Sequence, residues 1–237
     1  MKAFLLAAGE GRRLRPLTDS TPKCLVPIRG TPLLALWLEL LEREGVTDVL
    51  INLHHLAEKV EAFLRSRRTS LRVFTSHEDR LLGSAGTVLQ NRDFVAGDEE
   101  FLVLYADNLT NADLRKMVSF HRDRPEPLTL GVQPTDRPQE KGIVVLDGDF
   151  RVTAFDEKPA RPRSDLANAG IFVARSEVLD EASAVRPEGE VLDFGYHVLP
   201  RMLGRMNAYV LTEFLADIGT HEALERAQRA WPGLDPG

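Results

Sequence analysis

Residues 4–23 read FLLAAGEGRRLRPLTDSTPK, and how this stretch is read decides the fold. An apolar run from Ala3 to Ala8 stops at Gly9, and within the next fifteen positions come Gly11, Arg12, Arg13, Arg15, two prolines and Lys23. Residues 2–8 (KAFLLAA) carry no polar interruption after the lysine, the pattern of a strand covered on both faces. Strands of that kind belong to parallel sheets, and the loop at their carboxyl edge is where such sheets bind ligands. Gly9 and Gly11 free the backbone to bring N–H groups against an anion, and the cations that follow would neutralise it.

Outward from this loop the pattern repeats. Thr31-Pro32 reads as an N-cap with proline at the first helical position, followed by Leu33, Leu34, Trp37, Leu38 and Leu41 at helical spacing and Gly45 as the stop. VLINL (49–53) is a strand, 56–66 an amphipathic helix, LRVFT (71–75) a strand, GTVLQNR (86–92) a short helix and FLVLYAD (101–107) a further buried strand ending in an acid. Strands alternating with helices predict right-handed crossovers and an α/β fold. The second half changes character. LTLGVQP, GIVVLDG, RVTAFDEKP and AGIFVA are short β-rich runs with turn residues between them, which predict antiparallel additions to the sheet. A helix is expected over about 193–204, a strand near 207–211 and a last helix from about 220, with 157–165 (EKPARPRSD) as a mobile loop.

Composition narrows the partners. The 237 residues are 43% hydrophobic and 28% charged, enough for one sizeable core. A net charge of -6 disfavours nucleic acid as a partner, while the local cationic cluster suits a small anion. Cys24 is the one cysteine, which rules out an internal disulfide and fits a reducing cytoplasm. The apolar start is too short for a signal-peptide core, and no stretch approaches the roughly 20 residues of a membrane span. A cytoplasmic protein with no membrane partner is expected. No repeat and no hexapeptide array is visible, so an appended β-helix is not expected.

Three kinds of phosphate loop compete. The G-x-x-x-x-G-K-[ST] loop is absent. A dinucleotide loop needs a third glycine where Leu14 stands, and an acid after the second strand, which instead ends Leu53-His54-His55. That disfavours a dinucleotide-dependent oxidoreductase. Two glycines alone are equally compatible with a surface turn, and the basic residues with a solvated face.

The longer string LAAGEGRRLRPLTDSTPKCLVPIRGTPLL resembles the signature of the sugar-1-phosphate nucleotidyltransferases, the NDP-sugar pyrophosphorylases. LLGSAGT (81–87), LYADNL (104–109), FDEKP (155–159), NAGIFV (168–173) and ADIGT (216–220) continue the resemblance in the family's order. It implies a Rossmann-like, mainly parallel mixed sheet flanked by helices, the nucleotide-diphospho-sugar transferase fold. It also implies one domain over 1–237, with a nucleotide-binding half (1–125) and a sugar-binding half (126–237).

The implied reaction is attack of a sugar 1-phosphate on the α-phosphorus of an NTP, releasing pyrophosphate, with Mg²⁺ as cofactor and the two substrates as partners. A homodimer is also compatible. Carried over residue by residue, Arg13 contacts the β/γ end of the triphosphate, Lys23 the α-phosphate and Lys158 the sugar phosphate; these three are the catalytic candidates. Asp107 and Asp217 take the metal positions. Leu6, Ala7, Ala8, Gly9, Gly11, Glu78, Gly83 and Ser84 fall in the nucleotide region, and Asn108, Glu157, Asn168 and Gly170 on the sugar side. LGSAG is most like the LGTAG of guanylyltransferases acting on mannose- or heptose-type sugar 1-phosphates, with serine in place of threonine at 84. Uridylyl transfer to N-acetylmuramate or glucose 1-phosphate is the alternative, and a non-catalytic nucleotide-binding relative a remote one. The histidines read as polar surface residues and Cys24 as a buried small hydrophobe.

Overall fold

The computed structural model describes residues 1–185 and 191–235. In chain order the main elements are β1 (Lys2–Leu6), α1 (Leu33–Arg43), β2 (Asp48–Leu53), α2 (Ala57–Ser66), β3 (Arg72–His77), α3 (Ser84–Gln90), β4 (Phe101–Tyr105), β5 (Asn108–Thr110) and α4 (Leu114–Arg122). There follow β6 (Leu128–Pro134), β7 (Gly142–Leu146), β8 (Val152–Glu157), β9 (Leu166–Ala174), α5 (Glu177–Ala184), β10 (Met206–Val210), β11 (Leu215–Asp217) and α6 (His221–Ala230). The fold is α/β, with mixed sheet strands flanked by helices.

The chain forms two compact units. The first takes Met1–Leu81, Leu104–Asp113 and Glu213–Gly237; the second takes Leu82–Val103 and Leu114–Thr212. Strand β4 contributes to both, because the division falls between Val103 and Leu104.

In the first unit β1, β2 and β3 run parallel, with Lys2 opposite Asp48 and Leu6 opposite Asn52, then Asp48 opposite Arg72 and Leu53 opposite His77. Every residue of β2 is buried, including the polar Asp48 at its start and Asn52 near its end. Helix α1 buries Leu33, Leu34, Trp37, Leu38 and Leu41. It starts one residue later than the Thr31-Pro32 signal predicts, because Thr31 and Pro32 pair with Ile28 and Pro27 as a small antiparallel ribbon. It stops as predicted. Gly45 has φ +77, its N–H donates to the Glu42 carbonyl, and the Val46 N–H donates to Leu41, the two bonds of a glycine-terminated helix end. A second small antiparallel pair, β5 with β11, sets Asp217 opposite Asn108.

In the second unit the change to antiparallel pairing is as expected: β7 with β8, and β6 with β9, while β10 joins β6 in parallel. The helix expected over about 193–204 is not a regular one. Phe194–Val198 is a π turn and Leu199–Met202 a 3-10 turn. Pro200 has no N–H for an i→i−4 bond, so an α-helix cannot run through it. The 157–165 segment is a loop anchored at Arg163, whose Nε and Nη2 both donate to Asp156 Oδ2 at 2.9 and 2.7 Å.

One expectation about side chains is overturned. His121 is no surface residue: it is fully buried on α4, with Nδ1 2.8 Å from Thr129 Oγ1. Burial, with Arg175 and Arg122 nearby, pushes its pKa down to about 4. Cys24 is buried, and burial pushes its thiol up to about 12, out of the reactive range.

Candidate active site

The first unit gathers the N-terminal loop and both aspartates. Beyond β1 the chain passes through Gly9 and Gly11 into a 3-10 turn, Arg12–Leu14. Gly11 sits at φ +66, where a Cβ would also lie 2.8 Å from Thr18 Cγ2 and 3.2 Å from Lys23 Cβ. The glycine therefore lets the loop fold down against Lys23. Gly9 differs: a Cβ there would meet nothing within 4 Å, so its surroundings are open.

Lys23 opens a second 3-10 turn and is nearly buried, and its Nζ lies 2.6 Å from Asp107 Oδ2. A lysine seldom sits so far from water unless it is paired, and here the pairing fixes the ammonium beside the end of β4. Asp217 arrives from β11: Ile218 N–H donates to the Asp107 carbonyl at 3.1 Å, so the two acids occupy neighbouring rungs of one ladder. Gly219 completes the arrangement. A Cβ on it would lie 2.7 Å from Arg13 Nη2 and 2.9 Å from Asp217 Oδ1, so only the missing side chain lets both groups occupy that spot. Arg12 and Arg15 stay on the surface, paired with Glu10 and Asp19.

At the end of β1, Asn52 does what the sequence reading assigned to no residue. Its Oδ1 accepts from Ala7 N–H at 2.6 Å and Ala8 N–H at 3.3 Å, while its amide donates to Glu78 Oε1 at 2.8 Å. Leu6 ties in through its carbonyl, which accepts from Ala106 N–H. The segment 6–8 and Glu78, named as nucleotide-region residues, are thus linked through one buried amide. The signal is a lone polar residue in the apolar run 49–53. Asn108 also belongs to this unit: it is buried, and its carbonyl accepts from Trp37 Nε1 at 2.8 Å.

The second unit holds Gly83, Ser84, Glu157, Lys158, Asn168 and Gly170. Gly83 has φ +82, and a Cβ on it would lie 2.6 Å from the Leu192 carbonyl oxygen. Ser84 donates from its N–H and its hydroxyl to Asp193 Oδ1, at 3.2 and 3.1 Å, and its Oγ accepts from Phe194 N–H at 2.9 Å. Glu157 ends β8 with its carboxylate in a cleft made by glycines: a Cβ at Gly142 would stand 2.7 Å, and one at Gly195 2.5 Å, from Oε2. Burial pushes the Glu157 carboxyl above its usual range; Asp193 adds to the rise, and Lys158 and Lys141 oppose it.

Lys158 holds a left-handed backbone at φ +48, uncommon for a side-chain-bearing residue and often found at functional positions. Its Nζ lies 5.8 Å from the centre of the exposed Tyr196 ring. At Asn168 the β9–β6 register slips, and Gly170, at φ +65, donates its N–H to Asn168 Oδ1 at 3.0 Å. Asp193, Gly142 and Gly195 were not foreseen, since nothing in their local sequence marks them.

A cationic loop after a parallel strand, with a lysine and an arginine set against two laddered aspartates, is the arrangement the opening string implies. The family model described as nucleotidyl transferase matches residues 2–232. The chain belongs to this family. It is 33% identical over 218 residues to the UTP–glucose-1-phosphate uridylyltransferase of Synechocystis sp., covering 86% of this chain and 55% of that one. It is 34% identical over 223 residues to the mannose-1-phosphate guanylyltransferase catalytic subunit beta of Drosophila pseudoobscura pseudoobscura, covering 92% and 59%. The chain thus spans little more than half the length of these curated relatives. Among solved structures, a Bacillus anthracis protein assigned as a glucose-1-phosphate thymidylyltransferase superposes with a TM-score of 0.85 at 25% identity, covering 97% of this chain and 94% of that one. The sheet and helices described above are those of a nucleotidyltransferase. No helix among the described residues is long and apolar enough to cross a membrane.

Proposed function

We propose that this nucleotidyltransferase-family chain transfers a nucleoside monophosphate from an NTP to a sugar 1-phosphate, releasing pyrophosphate, and that it is a guanylyltransferase acting on a mannose- or heptose-type sugar. The observation that carries the reading is the convergence in the first unit: Lys23 on Asp107 at 2.6 Å, with Arg13 and Asp217 meeting at Gly219. Displacement at phosphorus needs aligned oxygens and offset negative charge rather than covalent help from the protein. Lys23 is positioned to stabilise charge at the α-phosphate, and Arg13 to hold the departing pyrophosphate. Glu157 and Lys158 in the second unit serve the sugar hydroxyls and the sugar phosphate.

Mg²⁺ fits the donor set of the first unit. Asp107 and Asp217 offer hard oxygen ligands from neighbouring rungs, and no group of three or more acidic, histidine or cysteine ligands occurs among the described residues. Two carboxylates with the remaining positions left to water and phosphate is how Mg²⁺ is commonly held. When bound, the ion would neutralise phosphate charge and orient the oxygens.

Guanylyl transfer is favoured by the LGSAG string and by similarity to mannose-1-phosphate guanylyltransferases; uridylyl transfer is the second reading, favoured by the glucose-1-phosphate uridylyltransferase relative. Thermal melts with each of the five NTPs in Mg²⁺ separate the two, because only a base that fits raises the melting temperature. GTP is expected to give the largest shift, and a larger shift with UTP would overturn the guanylyl assignment.

A further inference from the structure

Phe194–Val198 is a single π turn, a rare conformation that recurs at functional sites. Its side chains divide. Phe194, Gly195 and Val198 are buried, and the Phe194 ring stacks on Phe172 with 5.4 Å between centres. The backbone is tied down as well: Phe194 N–H donates to Ser84 Oγ and Asp193 N–H to His197 Nδ1, both at 2.9 Å. Tyr196 is the exception, at 55% exposure the most open large hydrophobic side chain among the described residues. A turn anchored on both sides thus holds an aromatic ring out to solvent.

The sugar-side residues lie beside that ring. Lys158 Nζ stands over it at 5.8 Å from the centre, just inside the ~6 Å reach of cation–π attraction. Gly195 adjoins Glu157: a Cβ there would lie 2.5 Å from Oε2, so the turn's backbone packs against that carboxylate. Lys158 is fixed from its other side, its N–H donating to the Lys141 carbonyl at 3.0 Å. One part of the second unit therefore presents an ammonium, a carboxylate and an open aromatic face. Those three groups match an anion, hydroxyls and a face of C–H groups, which a pyranose 1-phosphate carries together. A tyrosine covers such a face with little side-chain freedom to lose. The phosphate is one bridging oxygen from C1, so a phosphate at Lys158 brings the sugar ring next to Tyr196.

We propose that Tyr196 is a sugar-binding residue, its ring stacking on the C–H face of the pyranose while Lys158 holds the phosphate and Glu157 accepts from hydroxyls. Resting on the sugar-1-phosphate reading above, this assignment makes the second unit select for a closed sugar ring and not only for a phosphate ester.

The test uses the whole protein in Mg²⁺. Calorimetry in the presence of a GTP or UTP analogue with an uncleavable α–β bridge gives Kd for mannose 1-phosphate and glucose 1-phosphate. Pyrophosphate release with GTP or UTP gives the KM of sugar and NTP separately. Tyr196→Ala is expected to raise the sugar Kd and KM about tenfold and to leave the NTP KM within about twofold. Its Tm should stay within about 2 °C of the parent, because the ring is mostly exposed. Tyr196→Phe, which keeps the ring, is expected to restore sugar binding to within about threefold. Glycerol 3-phosphate, an ester with no ring, should bind the parent no better than it binds Tyr196→Ala. A sugar Kd unmoved in folded Tyr196→Ala would overturn the inference, and so would equal rises in the sugar and NTP KM. Binding as weak in Tyr196→Phe as in Tyr196→Ala would overturn it too, since the hydroxyl and not the ring would then be the contact. If Tyr196→Ala does not fold, Tyr196→Leu reads the same ratios. Each of these results leaves the proposed reaction intact where the parent releases pyrophosphate. Ring-dependent sugar binding without pyrophosphate from any NTP would overturn the reaction and leave the inference standing. A parent that binds no sugar 1-phosphate would overturn both.

Discussion

Gly219→Ala separates the geometry of the candidate site from the stability of the fold. The added methyl would sit 2.7 Å from Arg13 Nη2 and 2.9 Å from Asp217 Oδ1. Such contacts relax near ~3.5 Å, so the arginine must retreat by roughly 0.8 Å and the carboxylate by roughly 0.6 Å. Gly219 is not in the left-handed region, and the crowded atoms are side-chain ends, so the backbone accepts alanine. Stability should move by no more than ~1 kcal/mol, a Tm change of about 2–4 °C for a chain of this size. Misplacing a charge-stabilising group by ~1 Å can cost on the order of 10²-fold in rate, equivalent to ~2.7 kcal/mol of transition-state stabilisation. The assay is steady-state pyrophosphate release beside a thermal melt. Activity within about threefold of the parent would show that Arg13 and Asp217 do not need their present positions. A Tm loss above ~8 °C would show that the crowding falls on the fold instead.

Gly9→Ala is the complementary change: with no atom within 4 Å of the new methyl, Tm should hold or rise by about 1–3 °C, while the NTP KM rises by about tenfold if a triphosphate lies across that loop. Kinetics with varied NTP read it, and an unchanged KM would place the nucleotide elsewhere. Asn52→Ala removes the acceptor for Ala7 and Ala8 N–H and a donor to Glu78, at a cost of about 3 kcal/mol, visible as a Tm lower by roughly 6–12 °C. A loss below ~1 kcal/mol would mean that water replaces the amide. His121 predicts acid sensitivity. Its folded pKa of about 4 lies below the 6.5 of an unperturbed imidazole, so between those values the unfolded chain holds the extra proton and stability falls as pH falls. The full loss through this residue is about 3 kcal/mol. Denaturant melts from pH 7 to 4 should show a shallower fall in His121→Leu, and equal slopes would refute the assignment.

How far the sequence could be read depended on how local each signal is. The β–α succession through α3 is legible because β1 and β4 are apolar runs, Val49–Leu53 is nearly so, and helix α1 ends on a glycine that the backbone uses as predicted. Helix α4 carries the same kind of signal: Leu114, Met117, Val118 and His121 recur at helical spacing, and all are buried. The break at Phe194–Met202 shows the reverse case, an apolar run whose proline prevents the regular helix its spacing suggests. At the candidate site, the motif residues of the first unit are visible in the sequence, yet their supports are not. Asn52 acts on a loop 45 positions away, and Gly219 matters only because Arg13 lies beside it. Such couplings arise from tertiary proximity and leave no trace in spacing. Ser84 illustrates the point further: a residue considered for reading the base is occupied with Asp193, 109 positions on.

The proposed reaction requires that Lys23, buried against Asp107, serve phosphoryl chemistry. The direct measurement is pyrophosphate release by the parent and by folded Lys23→Ala, in Mg²⁺, across five NTPs and a panel of sugar 1-phosphates. At least one pairing is expected to turn over, with the rate in Lys23→Ala lower by roughly three orders of magnitude, about 4 kcal/mol of lost transition-state stabilisation. No turnover with any pairing, or a near-parental rate in the variant, would show that Lys23 has no part in phosphoryl transfer.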